Sequence, residues 1–212
     1  MAGSQGHAKQ SMTLVFRRTG QRRYAVEAHR PGLPVLEMNP APGYDPLMPH
    51  DLMHLVVEAQ LGLTRAVFGQ LASGGDAGTF HLFVKSDQGS RETARAGKRV
   101  KARGRKLLRD GRDECLQSER ATYICWQEWL GRSSSSEQRT LSQKMAKQAR
   151  EVRDTASATE LRSLDQRKLD EICKHLDQLS SHWFSLSVGQ SLAVAWPDLS
   201  IIDEPSCESC KS

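Results

Sequence analysis

Apolar positions change period several times along the chain, and each change marks an element. Residues 12–18 (Met-Thr-Leu-Val-Phe-Arg-Arg) and 23–29 are short runs rich in β-formers, separated by Thr19-Gly20-Gln21. That pattern predicts a β-hairpin. Pro31-Gly32 ends its second arm. Residues 33–38 predict a third strand, which Pro34 makes start late or lie at an edge. A loop of turn formers over 39–46 leads to Pro49, a favoured first helical position. The helix from about 49 to 61 carries Leu52, Met53, Leu55, Val56, Val57 and Ala59 over most of its circumference. Gly62 interrupts it, Thr64 can cap a second short helix to about 72, and Gly74-Gly75 ends that one. Residues 79–84 (Thr-Phe-His-Leu-Phe-Val) are β-branched and aromatic, as a strand would be.

No proline lies between His50 and Trp196, which favours long helices there. Residues 91–112 can form a helix but hold only Val100, Leu107 and Leu108 as sizeable apolar groups. They show no apolar stripe, and Gly97, Gly104 and Gly111 weaken the helix. Residues 113–130 form a better amphipathic helix, with Tyr123, Ile124, Trp126 and Trp129. Gly131 and the serines at 133–136 mark a loop. Residues 137–156 read as a polar helix with Leu141, Met145, Ala149 and Val152 on one side. Residues 159–182 read as one further helix, with Leu161, Leu164, Ile172, Leu176 and Leu179 at spacings of three or four, and gaps. Leu192, Val194 and Trp196 then alternate as in a strand, and Pro197 stops it.

The expected fold is α+β: a small, mainly antiparallel sheet made of the N-terminal hairpin and the strand near 190–196, with a helical hairpin and longer C-terminal helices on one face. The last strand can pair with the first. Residues 12–198 form a single domain in this reading, between a frayed N-terminus (1–11) and a flexible tail (199–212).

Composition changes the picture in one place. The formal net charge is +5, yet residues 91–112 hold ten basic and two acidic side chains, so the rest of the chain is net acidic. No apolar run approaches the roughly 18 residues of a membrane span, and no signal-like apolar core opens the chain; a cytoplasmic location without membrane association is expected. Five scattered cysteines read as free thiols of a reducing compartment. The lone Cys207-Glu208-Ser209-Cys210 lacks the second pair that a structural zinc site needs.

Two stretches suggest chemistry. At ~100° per residue His50, His54, Glu58 and Asp51 share an arc of about 100°. Imidazoles at i and i+4 stand about 5–6 Å apart, close enough to share zinc or another divalent metal. Glu58 is about 12 Å from His50 along the axis, too far to join both histidines on one ion. A third ligand must come from elsewhere, with Gln70 and His81 as candidates, or Glu58 if His50 is not a ligand. In such a site Asp51 or Glu58 would move a proton from metal-bound water, as a metal-dependent hydrolase or lyase requires. The plainer alternative is that these four residues form the one wet stripe of an otherwise buried helix.

His50-Asp51-Leu52-Met53-His54, with Gly69-Gln70 further on, resembles the HDxxH-x11-E zinc motif of the coenzyme Q biosynthesis protein family. The resemblance covers about 23 residues and implies a metal site acting on a quinone head group. Fifteen residues separate His54 from Gln70, and Gln70 stands where the family has a Glu. A neutral amide is a poorer zinc ligand than a carboxylate.

The second stretch is the basic segment. Arg95, Lys98, Arg99, Lys101, Arg103, Arg105 and Lys106 could contact several phosphates of a nucleic acid and release counterions. No aromatic residue falls between Val84 and Tyr123, so the segment offers no base-stacking platform. The competing functional class is therefore an interaction module that binds nucleic acid, or a protein partner, through this segment and the C-terminal helices. A solvated linker is the plainer alternative.

Overall fold

A computed structural model describes residues 11–43, 45, 47–83 and 91–202 of the protein. Most of the N-terminal stretch, Val84, residues 88–90 and the Cys207/Cys210 pair fall outside these residues. The β-formers at the start give β1 (Met12–Gly20) and β2 (Arg23–His29), and the stretch after Pro34 gives only the short β3 (Leu36–Met38). The strand near the C-terminus is β5 (Ser191–Trp196). Two two-residue strands, β4 (His81–Leu82) and β6 (Ile201–Ile202), complete an antiparallel sheet of order β4-β3-β2-β1-β5-β6. β1 sits centrally because it pairs with both β2 and the distant β5, with Phe16 opposite Val26 on one side and Leu192 on the other. This register puts Met12, Leu14, Phe16, Tyr24, Val26, Leu36, Leu192 and Val194 in the core, as the period of two requires.

Seven helices lie among the described residues: α1 (His50–Leu61), α2 (Val67–Ala72), α3 (Arg91–Asp110), α4 (Arg112–Arg132), α5 (Ser136–Thr155), α6 (Ala158–Ser163) and α7 (Gln166–Ser185). The fold is α+β. None of these helices is long and apolar enough to cross a membrane. α1 packs against α4 and α7. Its Leu52, Met53, Leu55, Val56 and Val57 are each at most 1% exposed. Such an all-round apolar helix is a core helix.

Four expectations need correction. The helix expected over 159–182 is two helices: Leu164 leaves helical geometry, and Asp165 caps α7 by accepting the Lys168 N–H. An Asx cap inside a periodic run is a start signal that outweighs the period. In α5 the covered positions are Ser142 and Ala149, with Met145 and Val152 partly covered, while Leu141 points outward. Small residues at that interface let α5 lie close along α4. Residues 201–202, placed in the tail, instead extend the sheet. The fourth correction concerns α3. Its glycines are its packing surface rather than its weakness, because Val100 and Gly104 are buried. A Cβ at Gly104 would lie 1.9 Å from Asp76 Oδ1, and one at Gly111 would lie 2.0 Å from the Arg65 carbonyl oxygen. Gly97, Val100, Gly104, Leu107 and Gly111 alternate three and four apart, which is an apolar stripe with hydrogen for side chains.

Candidate functional site

α1 does not carry its polar residues in water. Glu58 is fully buried and His54 only 6% exposed, because α4 lies over that face. Ser118 and Thr122 of α4 are themselves buried. His54 Nδ1 lies 2.9 Å from Ser118 Oγ and 3.3 Å from Thr122 Oγ1. Ser118 Oγ lies 2.9 Å from Glu58 Oε1, and Glu58 Oε2 accepts the Phe68 N–H at 2.8 Å. His54 Nε2 faces the exposed Glu119, 3.7 Å from Oε2. The wet-stripe alternative therefore fails for His54 and Glu58.

Ser118 donates its one proton to Glu58 Oε1, and its oxygen lies within hydrogen-bond reach of His54 Nδ1. The Glu119 carboxylate stands on the other side of the ring, toward Nε2. Burial drives Glu58 and His54 the same way. It pushes Glu58 up to about 8 and His54 down to about 3, with His50 nearby lowering His54 further. At neutral pH the run Glu58–Ser118–His54 is uncharged and each member has a partner, which removes the cost of a buried charge.

Asp51 is treated similarly. Tyr24 Oη lies 2.6 Å from the Pro42 carbonyl oxygen and 2.5 Å from Asp51 Oδ2. A phenol has one proton, and a carbonyl can only accept. Tyr24 therefore shares its one proton between the Pro42 carbonyl oxygen and Asp51 Oδ2, both of which accept. Burial raises Asp51, against the lowering effects of Tyr24 and His50. Asp51 and Glu58, the expected proton carriers, thus have their oxygens committed to internal partners.

The expected ligands are only partly assembled. The rings of His50 and His54 meet edge to face with centroids 4.6 Å apart. His81 lies on β4 beside Glu37, 3.6 Å away, rather than with them. Gln70 is buried and donates to the Arg65 carbonyl oxygen at 2.8 Å. Among the described residues, no three His, Cys, Asp or Glu side chains are grouped to hold a metal ion.

α3 presents a different kind of site. Its nine cations, Arg91, Arg95, Lys98, Arg99, Lys101, Arg103, Arg105, Lys106 and Arg109, are all exposed. At ~100° per residue they cover an arc of about 200°, centred opposite the glycine stripe. Among the described residues, no carboxylate lies within ion-pair distance of any of them. At the start of α4, Glu114 is bound to Arg65 at 2.7 Å. The stripe therefore fixes the direction in which the charge points.

No protein-family model, curated protein or solved structure matches the chain. Sequence reasoning missed Ser118, Thr122 and Glu119 at the histidine and Tyr24 at Asp51. A signal for the first two was present: Ser118, Ala121, Thr122 and Cys125 form a line of small residues in an otherwise bulky helix, the mark of a close helix–helix approach. Nothing local in the sequence singles out Tyr24.

Proposed function

We propose that the protein is a binding module that grips the phosphate backbone of nucleic acid through α3. The observation that carries this is the array of nine exposed cations held on one helix, none of them ion-paired to a carboxylate among the described residues. Like charges this dense repel one another, and a polyanion relieves that repulsion while counterions leave its phosphates. Arginine supplies six of the nine, and its planar fork matches phosphate oxygens. Anisotropy with a labelled 30-nucleotide probe at 50 and 200 mM salt tests the reading. About five phosphate contacts imply a loss of roughly 100- to 1,000-fold between those salts. Replacing Arg95, Lys98, Arg99 and Lys106 together by Glu should remove binding at both. Absence of binding by the unaltered protein at 50 mM salt would sink the reading.

A second reading keeps His50 and His54 as a divalent-metal pair. It is favoured by their 4.6 Å ring separation and by His54 Nε2 facing Glu119. The two imidazoles supply part of a zinc donor set, and no third His, Cys, Asp or Glu is grouped with them among the described residues. Ser118 and Glu58 behind His54 Nδ1 would then orient the ring. Metal analysis of untagged protein decides it: near-stoichiometric zinc that is lost in His54→Ala is expected, and metal-free wild-type protein after zinc dialysis defeats it.

A further inference from the structure

We infer that α3 seats in the major groove of B-form double-stranded DNA and holds both flanking phosphate strands without reading the bases. This rests on the phosphate-binding reading and names the nucleic acid. The α3 cations do not form one row. Lys98, Lys101 and Arg105 form a ridge on one flank of the helix, and Arg95, Arg99 and Lys106 form a second on the other, all six exposed. At ~100° per residue the ridges stand about 105° apart.

Between them the crest carries Ala102 in mid-helix, with Arg91 and Arg109 at the ends. Among the described residues, the body covers the arc from Ala96 to Gly97 through Val100 and Gly104, about 100° wide. The helix is therefore a projecting rib charged on both flanks.

A flat anionic surface meets one flank of such a rib, whereas a groove meets both. A helix with side chains is about 10–12 Å across, and the B-form major groove is about 12 Å wide. Twenty residues span about 30 Å, close to one turn of the duplex. The major groove of A-form RNA is too deep and narrow to admit it. A single strand is held by stacking as well as charge, and α3 carries no aromatic residue. It also has no Asn or Gln, the side chains that read adenine, and Ala102 at mid-crest brings no donor to the groove floor, so the arginines that could reach guanine stand on the flanks or at the helix ends. The duplex is thus recognised by shape and charge.

The test uses the full chain and two triple variants, Lys98→Glu/Lys101→Glu/Arg105→Glu and Arg95→Glu/Arg99→Glu/Lys106→Glu. Every changed side chain is exposed, and circular dichroism checks the fold. Probes are two unrelated 24-base-pair DNA duplexes, one single strand, the matching RNA duplex and phosphatidylserine vesicles, titrated from 50 to 250 mM salt. The expected results are both DNA duplexes bound within about 3-fold of each other, at least about 10-fold tighter than the other probes. A log–log salt slope near −5 is expected, with each triple variant lowering its steepness by about 3 and weakening binding to a similar extent. Equal binding of single strand or RNA duplex, preference for vesicles, strong preference between the DNA duplexes, or loss confined to one ridge would overturn the groove while leaving the phosphate reading in place. Failure of every probe to bind at 50 mM salt removes both.

Discussion

Gly104→Val should destabilise the protein by about 3 kcal/mol, although a glycine inside a helix is ordinarily a liability of about 0.5–1 kcal/mol. The position lies against Asp76, whose Oδ1 would be 1.9 Å from a new Cβ and whose backbone nitrogen would be 3.1 Å away. Asp76 is itself buried and accepts the Gly78 N–H. Its charge also favours the buried Arg30 guanidinium, which donates to the carbonyl oxygens of Leu71, Gly75 and Pro34. Overpacking costs about 1–3 kcal/mol, and disturbing a buried polar contact costs about as much again. For a chain of this size, 3 kcal/mol corresponds to a fall in Tm of about 6–12 °C. Gly97→Ala makes the contrast. Its Cβ would meet only the mobile end of Leu82, at 3.0 Å, so helix propensity should roughly offset the contact. Urea unfolding of both variants checks the pair. Equal, mild effects would mean that the glycine stripe is not a docking surface.

Between pH 6.5 and 8 the wild-type protein should lose about 2 kcal/mol of stability that Glu58→Gln retains. Glu58 moves from 4.5 in the unfolded chain to about 8 when folded. Its contribution is complete below 4.5 and is lost as pH rises through 8. His54 moves from 6.5 to about 3, so its contribution is complete above 6.5 and is lost as pH falls through 3. The two slopes cancel between 4.5 and 6.5. Above 6.5 only the Glu58 limb remains, and 1.5 pH units at ~1.36 kcal/mol each give the predicted loss. Glutamine is the uncharged isostere: its amide oxygen accepts the Phe68 N–H, and its NH2 donates to Ser118 Oγ, whose proton turns to His54 Nδ1. The variant should match the wild type below pH 4.5, exceed it by about 2 kcal/mol at pH 6, and stay level from pH 6.5 to 8. Urea midpoints measured across that range test this. A wild-type limb that persists in Glu58→Gln would show that the limb belongs to another group and not to Glu58.

Much of the architecture is legible from local signals. The strand periods, the Pro-rich loop before His50 and the Gly62 stop each act within a few residues, so the hairpin, α1 and β5 follow from short windows. The pairing of β1 with β5 is also legible, since both are amphipathic strands in need of a neighbour. The site is less so. His50 and His54 stand side by side, as i, i+4 spacing requires, yet the partners of His54 come from a helix some sixty residues later. α3 shows the same divide. Its cations are plain in the sequence, but without the body its glycines read as defects.

By itself the sequence determined most of the longer helices and strands, that one helix is apolar almost all round, and that positive charge is concentrated in one segment. These follow from covalent neighbours and periodicity. Only the tertiary structure decided what the polar groups do. α4, laid over α1, turned Glu58 and His54 from solvated side chains into a neutral buried pair, because burial penalises charge. The close approach of Asp76 and Arg65 turned three glycines into a docking face and so aimed nine cations outward. Both outcomes depend on which distant surfaces meet, and no local pattern specifies that.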